Sequence, residues 1–324
     1  MRLQAILEDL NQNNSSDTST TSNQQQQQFQ VIQSNPQRNL DGALRYICQV
    51  HGEKYLSLLK SKSQGTNRPI RFNPFYARTL IDENSYDAAV NAVQDWMDSV
   101  DVAILCAGRI HDDDGQKPLF ALTRPPGHHA CRAKGMGGCL FNNAAIAAFY
   151  ALDRGCKNVA ILDFDAHHGN GVAHCVQDEK RIWYCSIHEA KEGGKTFVEQ
   201  KIPEDNPRSQ ERDDMGPLGN LLNVNLKAGT GWENGYKDAL VAEAVPFLLE
   251  SKPDLLIVSA GFDALETDWS SGLNLQPDDY RKLGKVLKGT FWNKVAMGLE
   301  GGYSFQNHAL SRAIIAFCSA WDYS

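Results

Sequence analysis

Apolar positions along the chain follow two rhythms. From Leu40 to Leu59, the residues Leu44, Ile47, Val50, Tyr55, Leu58 and Leu59 recur at helical spacing. Ser85 to Met97 repeats the pattern with Tyr86, Ala89, Val90 and Val93, and Ser85 is placed to cap that helix. Beyond Met97, short apolar or β-branched runs alternate with helical stretches. The predicted strands are Val102–Cys106, Leu119–Leu122, Asn158–Asp163, Ile182–Ile187, Leu221–Leu226, Asp254–Ala260 and Lys294–Leu299. The predicted helices among them are Asn142–Arg154, Gly235–Leu249 and Pro277–Trp292. Continuously apolar strands alternating with helices imply a single α/β domain, its mainly parallel sheet flanked by helices on both faces. In such sheets ligands sit beyond the carboxyl ends of the strands.

One stretch breaks the pattern. Residues 11–28, NQNNSSDTSTTSNQQQQQ, have no apolar periodicity and read as a disordered, low-complexity insertion. The organisation expected is therefore a partial domain start at 1–10, the insertion at 11–28, and the main domain at 29–324. With 42% hydrophobic residues the chain can bury a sizeable core. Its net charge of −7 argues against a broad grip on nucleic acid, which needs clustered Lys and Arg. No run approaches the roughly 18 apolar residues of a membrane span, so no membrane partner is expected. Eight scattered cysteines without a Cys-x-x-Cys pair read as reduced, mostly buried thiols. They suit a cytoplasmic and/or nuclear protein, or an organellar one.

The chemistry concentrates at strand ends. Asp163-Phe164-Asp165-Ala166-His167-His168-Gly169-Asn170-Gly171 follows the apolar run Val159–Leu162 directly. Residues two apart on a strand share a side, so Asp165 and His167 emerge together as a carboxylate and imidazole suited to a metal. Asp263, in Ser259-Ala260-Gly261-Phe262-Asp263, leaves another buried strand at the same edge and is the candidate third ligand, although an Asp there is also a common helix cap. In Arg124-Pro125-Pro126-Gly127-His128-His129-Ala130, the prolines and glycine make a stiff loop that can hold two imidazoles near an attacking water. Glu300-Gly301-Gly302-Tyr303 lets the backbone approach a ligand and could aim the Tyr303 hydroxyl at a developing oxyanion.

Taken together these four motifs resemble the histone deacetylase superfamily, which shares the arginase/deacetylase fold. The match runs in motif order from about Leu40 to Ala320, and Asn170 and Glu300 resemble its class II branch. The resemblance implies a zinc-dependent hydrolase acting on linear amide bonds, with Zn²⁺ held by Asp165, His167 and Asp263. It implies His129 as general base, His128 as a proton-bearing partner oriented by Asp163, and Tyr303 as polariser of the acetyl carbonyl. Asn170 joins the catalytic set. Asp163 with Ser186 resembles the family's monovalent-cation site, so K⁺ is a possible second ion. The expected substrate is acetyl-lysine in a protein, placing the chain in lysine deacetylation and chromatin regulation through proteins rather than DNA.

The chain also departs from the family. Gly138, in Gly135-Met136-Gly137-Gly138-Cys139, stands where relatives carry an aromatic lining the acyl-lysine tunnel, and Gly301 is expected at that tunnel too. After Ser186-Ile187-His188 the usual loop is replaced by Glu189–Phe197 and a charged stretch to Arg212. A wider, less aromatic entrance follows. The segment beginning at Arg2 matches a region that relatives precede with a strand, so a missing edge strand is expected.

Three alternatives compete. A two-metal ureohydrolase on this fold is disfavoured because Gly169 replaces the bridging Asp and no carboxylate pair follows Asp263. A deacetylase of acetylpolyamines or other small acetylated amines would carry a gatekeeping Glu where Ser270 stands, although Glu266 and Asp268 are close by. An inactive scaffold would be signalled by loss of a ligand or of Tyr303, and all are present.

Overall fold

The computed structural model describes residues 6–9, 32–35, 37–72, 79–107, 117–190, 216–292 and 294–321. The insertion at 11–28 and the whole charged stretch after Ala190 lie outside the described residues. Six of the seven expected strands form: β3 (Phe120–Ala121), β4 (Val159–Asp163), β5 (Ile182–Glu189), β6 (Leu221–Leu226), β7 (Leu255–Ala260) and β8 (Val295–Leu299). They build one sheet in the order β3-β8-β7-β4-β5-β6 with every pairing parallel. A separate two-stranded antiparallel ribbon joins β1 (Ile70–Arg71) to β2 (Leu80–Ile81).

Alternation along each strand sends side chains to two cores. On β4, Val159 and Ile161 pack with α1 (Asp41–His51), α2 (Glu53–Gln64), α3 (Ser85–Ala107), α4 (Asn143–Asp153) and α5 (Asn170–Val176). Ala160 and Leu162 face the other core, built by residues 232–250 together with α7 (Pro277–Phe291) and α8 (Ala309–Cys318). Helices on both faces explain why strands such as Leu255–Ala260 are buried at every position. Cys48, Cys131, Cys139, Cys156, Cys175 and Cys185 form no disulfide.

Four sequence expectations need correction. Val102–Cys106 is not a strand but the end of α3, whose buried Val93, Trp96, Met97, Val100, Ala103 and Cys106 continue one helical face. A short apolar run cannot be told from a buried helix segment by composition. Ser85 is the first helical residue of α3 rather than its cap; its hydroxyl donates to Asp82 Oδ1 at 2.7 Å, and Asp82 Oδ1 also accepts from Asn84 N. The pattern from Leu40 to Leu59 is split at Gly52, whose φ of 80° ends α1 before α2 begins. Finally, the helix expected at Gly235–Leu249 is broken at its start, where Asn234 and Gly235 leave helical φ/ψ, and passes through a wide π-turn at Ala239–Ala244 before α6 (Val245–Glu250).

Two caps tie helices to the site's edge. Asn142 accepts from Ala145 N at 3.0 Å, and Pro277 opens α7 while Asp279 Oδ2 accepts from Gln276 N. Gly298 on β8 lets the Trp96 indole of α3 close onto the sheet, since a Cβ there would fall on the ring. Gly298→Ala is therefore expected to destabilise the fold by about 1–3 kcal/mol or more. A denaturation midpoint within error of wild type would contradict that packing.

Candidate active site at the carboxyl edge of the sheet

The chain leaves β4 toward β5 and β6 on one side, then returns to place β7 on the other side of β4. That reversal is the switch point where open α/β sheets bind ligands. Here β4 releases Asp163, Asp165 and His167, and β7 releases Asp263. The next strand, β8, releases Glu300 to Tyr303, and edge strand β3 leads to His128 and His129.

Asp165, His167 and Asp263 form a group whose donor atoms all lie within 4.8 Å of one another. His167 Nδ1 is 2.8 Å from Asp263 Oδ2 and 3.1 Å from Asp165 Oδ1. Backbone N–H groups aim both carboxylates: Gly301 N donates to Asp165 Oδ2 at 2.7 Å, and Ala166 N donates to Asp263 Oδ1 at 2.8 Å. Two fully buried carboxylates this close call for a cation between them. Burial, with Asp165 beside it, pushes Asp263 up to about 6. Burial would also raise Asp165, but His128 and His167 outweigh it and hold it below its usual range. No other cluster of three such donors occurs among the described residues. Two carboxylates and one imidazole suit zinc and leave room for a fourth ligand.

The two histidines of the stiff loop sit in contrasting environments, with ring centroids 4.0 Å apart. His128 Nδ1 lies 3.2 Å from Asp163 Oδ2. Burial would depress this imidazole, but the carboxylates of Asp165 and Asp163 win and push it up to about 10. His129 Nδ1 instead faces Asn170 Oδ1 at 2.8 Å. Its burial, with the positive His128 and His167 nearby, holds it well below the ordinary histidine range. One ring is thus kept protonated and its neighbour kept neutral.

Several supporting contacts were not expected from sequence, although Glu300 and Asn170 themselves were singled out there. Glu300 is fully buried, and its Oε2 accepts from Gly127 N at 2.7 Å and His128 N at 3.1 Å, which fixes the histidine loop against β8. Burial pushes its carboxyl up to about 7, against the pull of His128. The Tyr184 hydroxyl donates to Asp163 Oδ2 at 3.1 Å. The Asn170 amide nitrogen lies 3.6 Å from both Cys131 Sγ and Met136 Sδ, which orients its oxygen toward His129. Glu300 and Asn170 lay in motifs legible in the sequence and Tyr184 did not, while the contacts of all three join distant segments.

Other expected site residues fall as follows. Asp163 and Ser186 are paired in register across β4 and β5 and both are buried, with Ser186 Oγ 2.8 Å from His188 Nδ1. Gly301 lies against the acidic cluster, where a Cβ would touch the carboxylates of Asp165 and Asp263. Gly138 adopts φ 83° with nothing within 4 Å of an added Cβ, so open space stands at the place expected of a tunnel aromatic. Gly137 beside it leaves no room for a side chain, which would strike the His129 ring. Tyr303 is tied through its backbone: its N–H donates to Asp268 Oδ2 at 2.5 Å.

The fold and this edge define an α/β protein with a buried Asp-His-Asp cluster and a histidine pair beside it. Comparison with known proteins then gives the family. The histone deacetylase domain matches residues 1–320, and the chain belongs to the histone deacetylase family as a hydrolytic deacetylase domain. It is 40% identical to the uncharacterized protein slr0245 of Synechocystis over 82% of this chain and 78% of that one. Identity to histone deacetylase 15 of Arabidopsis thaliana is 35% over 82% of this chain, which spans 45% of that longer protein. Among solved structures, the HDA15 HD domain superposes with a TM-score of 0.75 at 27% identity, covering 98% of this chain and 80% of that one. Acetylpolyamine aminohydrolase from Burkholderia pseudomallei gives 0.66 at 25% identity, covering 86% and 82%.

Proposed function

We propose that this chain hydrolyses the amide of N-acetylated lysine in proteins, releasing acetate and a free amine. The observation that carries the reading is the convergence of Asp165, His167 and Asp263 with the differently tuned pair His128 and His129 at one sheet edge. Asp165, His167 and Asp263 would hold Zn²⁺, which when bound supplies Lewis-acid polarisation of the carbonyl and a lowered water pKa.

The remaining work falls to the protein's own groups. Asn170 accepts the Nδ1 proton of His129, which leaves Nε2 as the acceptor for a proton from the attacking water. His128, kept cationic between Asp163 and Asp165, places positive charge where negative charge develops. Tyr303 offers its hydroxyl to the carbonyl oxygen, and the proton held on His129 goes to the leaving amine. Gly301 N–H and Ala166 N–H keep the acidic cluster from rotating. In this reading Asp163 and Ser186 are the side chains of a K⁺ site, supported by their buried oxygens at paired register positions.

A protein substrate is favoured over a polyamine by the loop after Asp263. A gatekeeping carboxylate must face a cationic substrate, yet Asp268 is 4% exposed, and it accepts from Ser270 N, Ser270 Oγ and Tyr303 N. Glu266 accepts from Gln276 Nε2 at 2.7 Å. The similarity to acetylpolyamine aminohydrolase makes the small-amine reading the second one to test.

The test is turnover of acetyl-lysine peptides and acetylpolyamines, with zinc loaded and then chelated. Acetate release that needs zinc and favours peptides is the expected result. Preference for acetylpolyamines would move the substrate to small amines. No release with stoichiometric zinc bound would leave an acetyl-binding scaffold.

A further inference from the structure

The loop that follows β7 presents a tryptophan that the proposed chemistry leaves unused. Trp269 is 70% exposed, although its indole centroid lies 5.7 Å from the ring of Tyr303. Scattered exposed apolar residues are ordinary. Trp269 differs because both of its flanks are held. Asp268 accepts from Tyr303 N through Oδ2 and from Ser270 N and Oγ through Oδ1, so one buried carboxylate anchors the loop on either side of the indole. A large, rigidly mounted aromatic surface facing water binds with little conformational entropy to lose.

Its place in the sheet says what it meets. β8 lies between β3 and β7, so the Tyr303 loop runs between the glycine turn after β3 and the Trp269 loop after β7. On the β3 side, Gly137 and Gly138 give a bare wall against His129. On the β7 side the wall is aromatic. We propose that Trp269 is a specificity-determining residue whose indole packs on the methylene chain carrying the acetylated amine. That chain is flexible, apolar and attached to the group Tyr303 addresses, and acetyl-lysine and acetylated diamines share it. This inference rests on the hydrolase reading above, and it makes the entrance one-sidedly aromatic rather than simply open.

The experiment uses the zinc-loaded full chain with an acetyl-lysine peptide and with a monoacetylated diamine. Trp269→Ala should raise KM roughly tenfold, the size expected for losing one buried aromatic contact, while kcat falls less than about threefold. Trp269→Phe should recover most of that KM. Trp292→Ala, which removes an exposed tryptophan at the amino edge of the sheet, should leave KM unchanged. An effect on peptide and diamine alike assigns the contact to the methylene chain, and an effect on peptide alone would overturn that assignment. A Trp269→Ala enzyme with wild-type KM on both would also overturn the inference while the hydrolase reading stands. Should the wild type turn over neither substrate, the hydrolase reading fails separately. Indole fluorescence titrated with the acetyl-lysine peptide then decides: a change absent from Trp269→Phe upholds the contact, and no change, or the same change in that variant, overturns it.

Discussion

The Asp263→Asn protein is expected to lose most of its zinc and roughly 10³-fold or more of kcat/KM, since a catalytic metal supplies several kcal/mol and each decade is worth about 1.4 kcal/mol. Asp263 Oδ1 is fixed by Ala166 N, so the substituted amide can keep its oxygen there. Its NH₂ group would then occupy the place of Oδ2, which now stands 2.8 Å from His167 Nδ1. The acidic cluster would lose one of two carboxylates and gain a donor facing the metal's position. Volume and burial hardly change, so the far-ultraviolet dichroism should match wild type. Elemental zinc analysis alongside kcat/KM reads the result. A variant that keeps full zinc and full turnover would remove Asp263 from the ligand set.

Tyr303→Phe separates oxyanion stabilisation from metal binding. The side chain is not among the three clustered donors, and its loop is held through backbone contacts at Gly301 and Tyr303 that the substitution leaves intact. Removing one oxyanion donor costs about 10²–10³ in kcat. The expected protein therefore binds zinc stoichiometrically, binds substrate with near-normal affinity, and turns over at least a hundredfold more slowly. Equal loss of zinc and turnover would mean that Tyr303 supports the cluster structurally. Unchanged turnover would sink its role at the carbonyl oxygen.

Much of the site was legible because metal and proton chemistry demand particular residue types at strand ends. Asp165 and His167 share a face by strand periodicity, and Val159–Leu162 before them reads as buried without any tertiary knowledge. The histidine pair was legible from its stiff Pro-Pro-Gly loop. Less legible were the tuning contacts. That His128 is pushed up depends on Asp165 and Asp163, and that His129 is held down depends on burial with His167 beside it, groups more than 30 residues away in sequence. Glu300 grips the same loop across more than 170 positions. Composition carries no trace of such pairs, because each residue alone satisfies many other surroundings.

The fold shows the same division. The sequence by itself determined six of the strands, their parallel character and most helices, because continuous apolar runs and helical periodicity are local consequences of burial. It misread Val102–Cys106, where a run of the right composition is the buried face of a long helix. It could not give the order β3-β8-β7-β4-β5-β6, and that order decides where function lies. Pairing β7 against β4 brings Asp263 to Asp165 and His167 from almost a hundred residues away, and pairing β8 against β7 brings Gly301 and Tyr303 after them. Strand order depends on which buried faces pack against which helices, a balance summed over the whole core, so only the tertiary structure decided it.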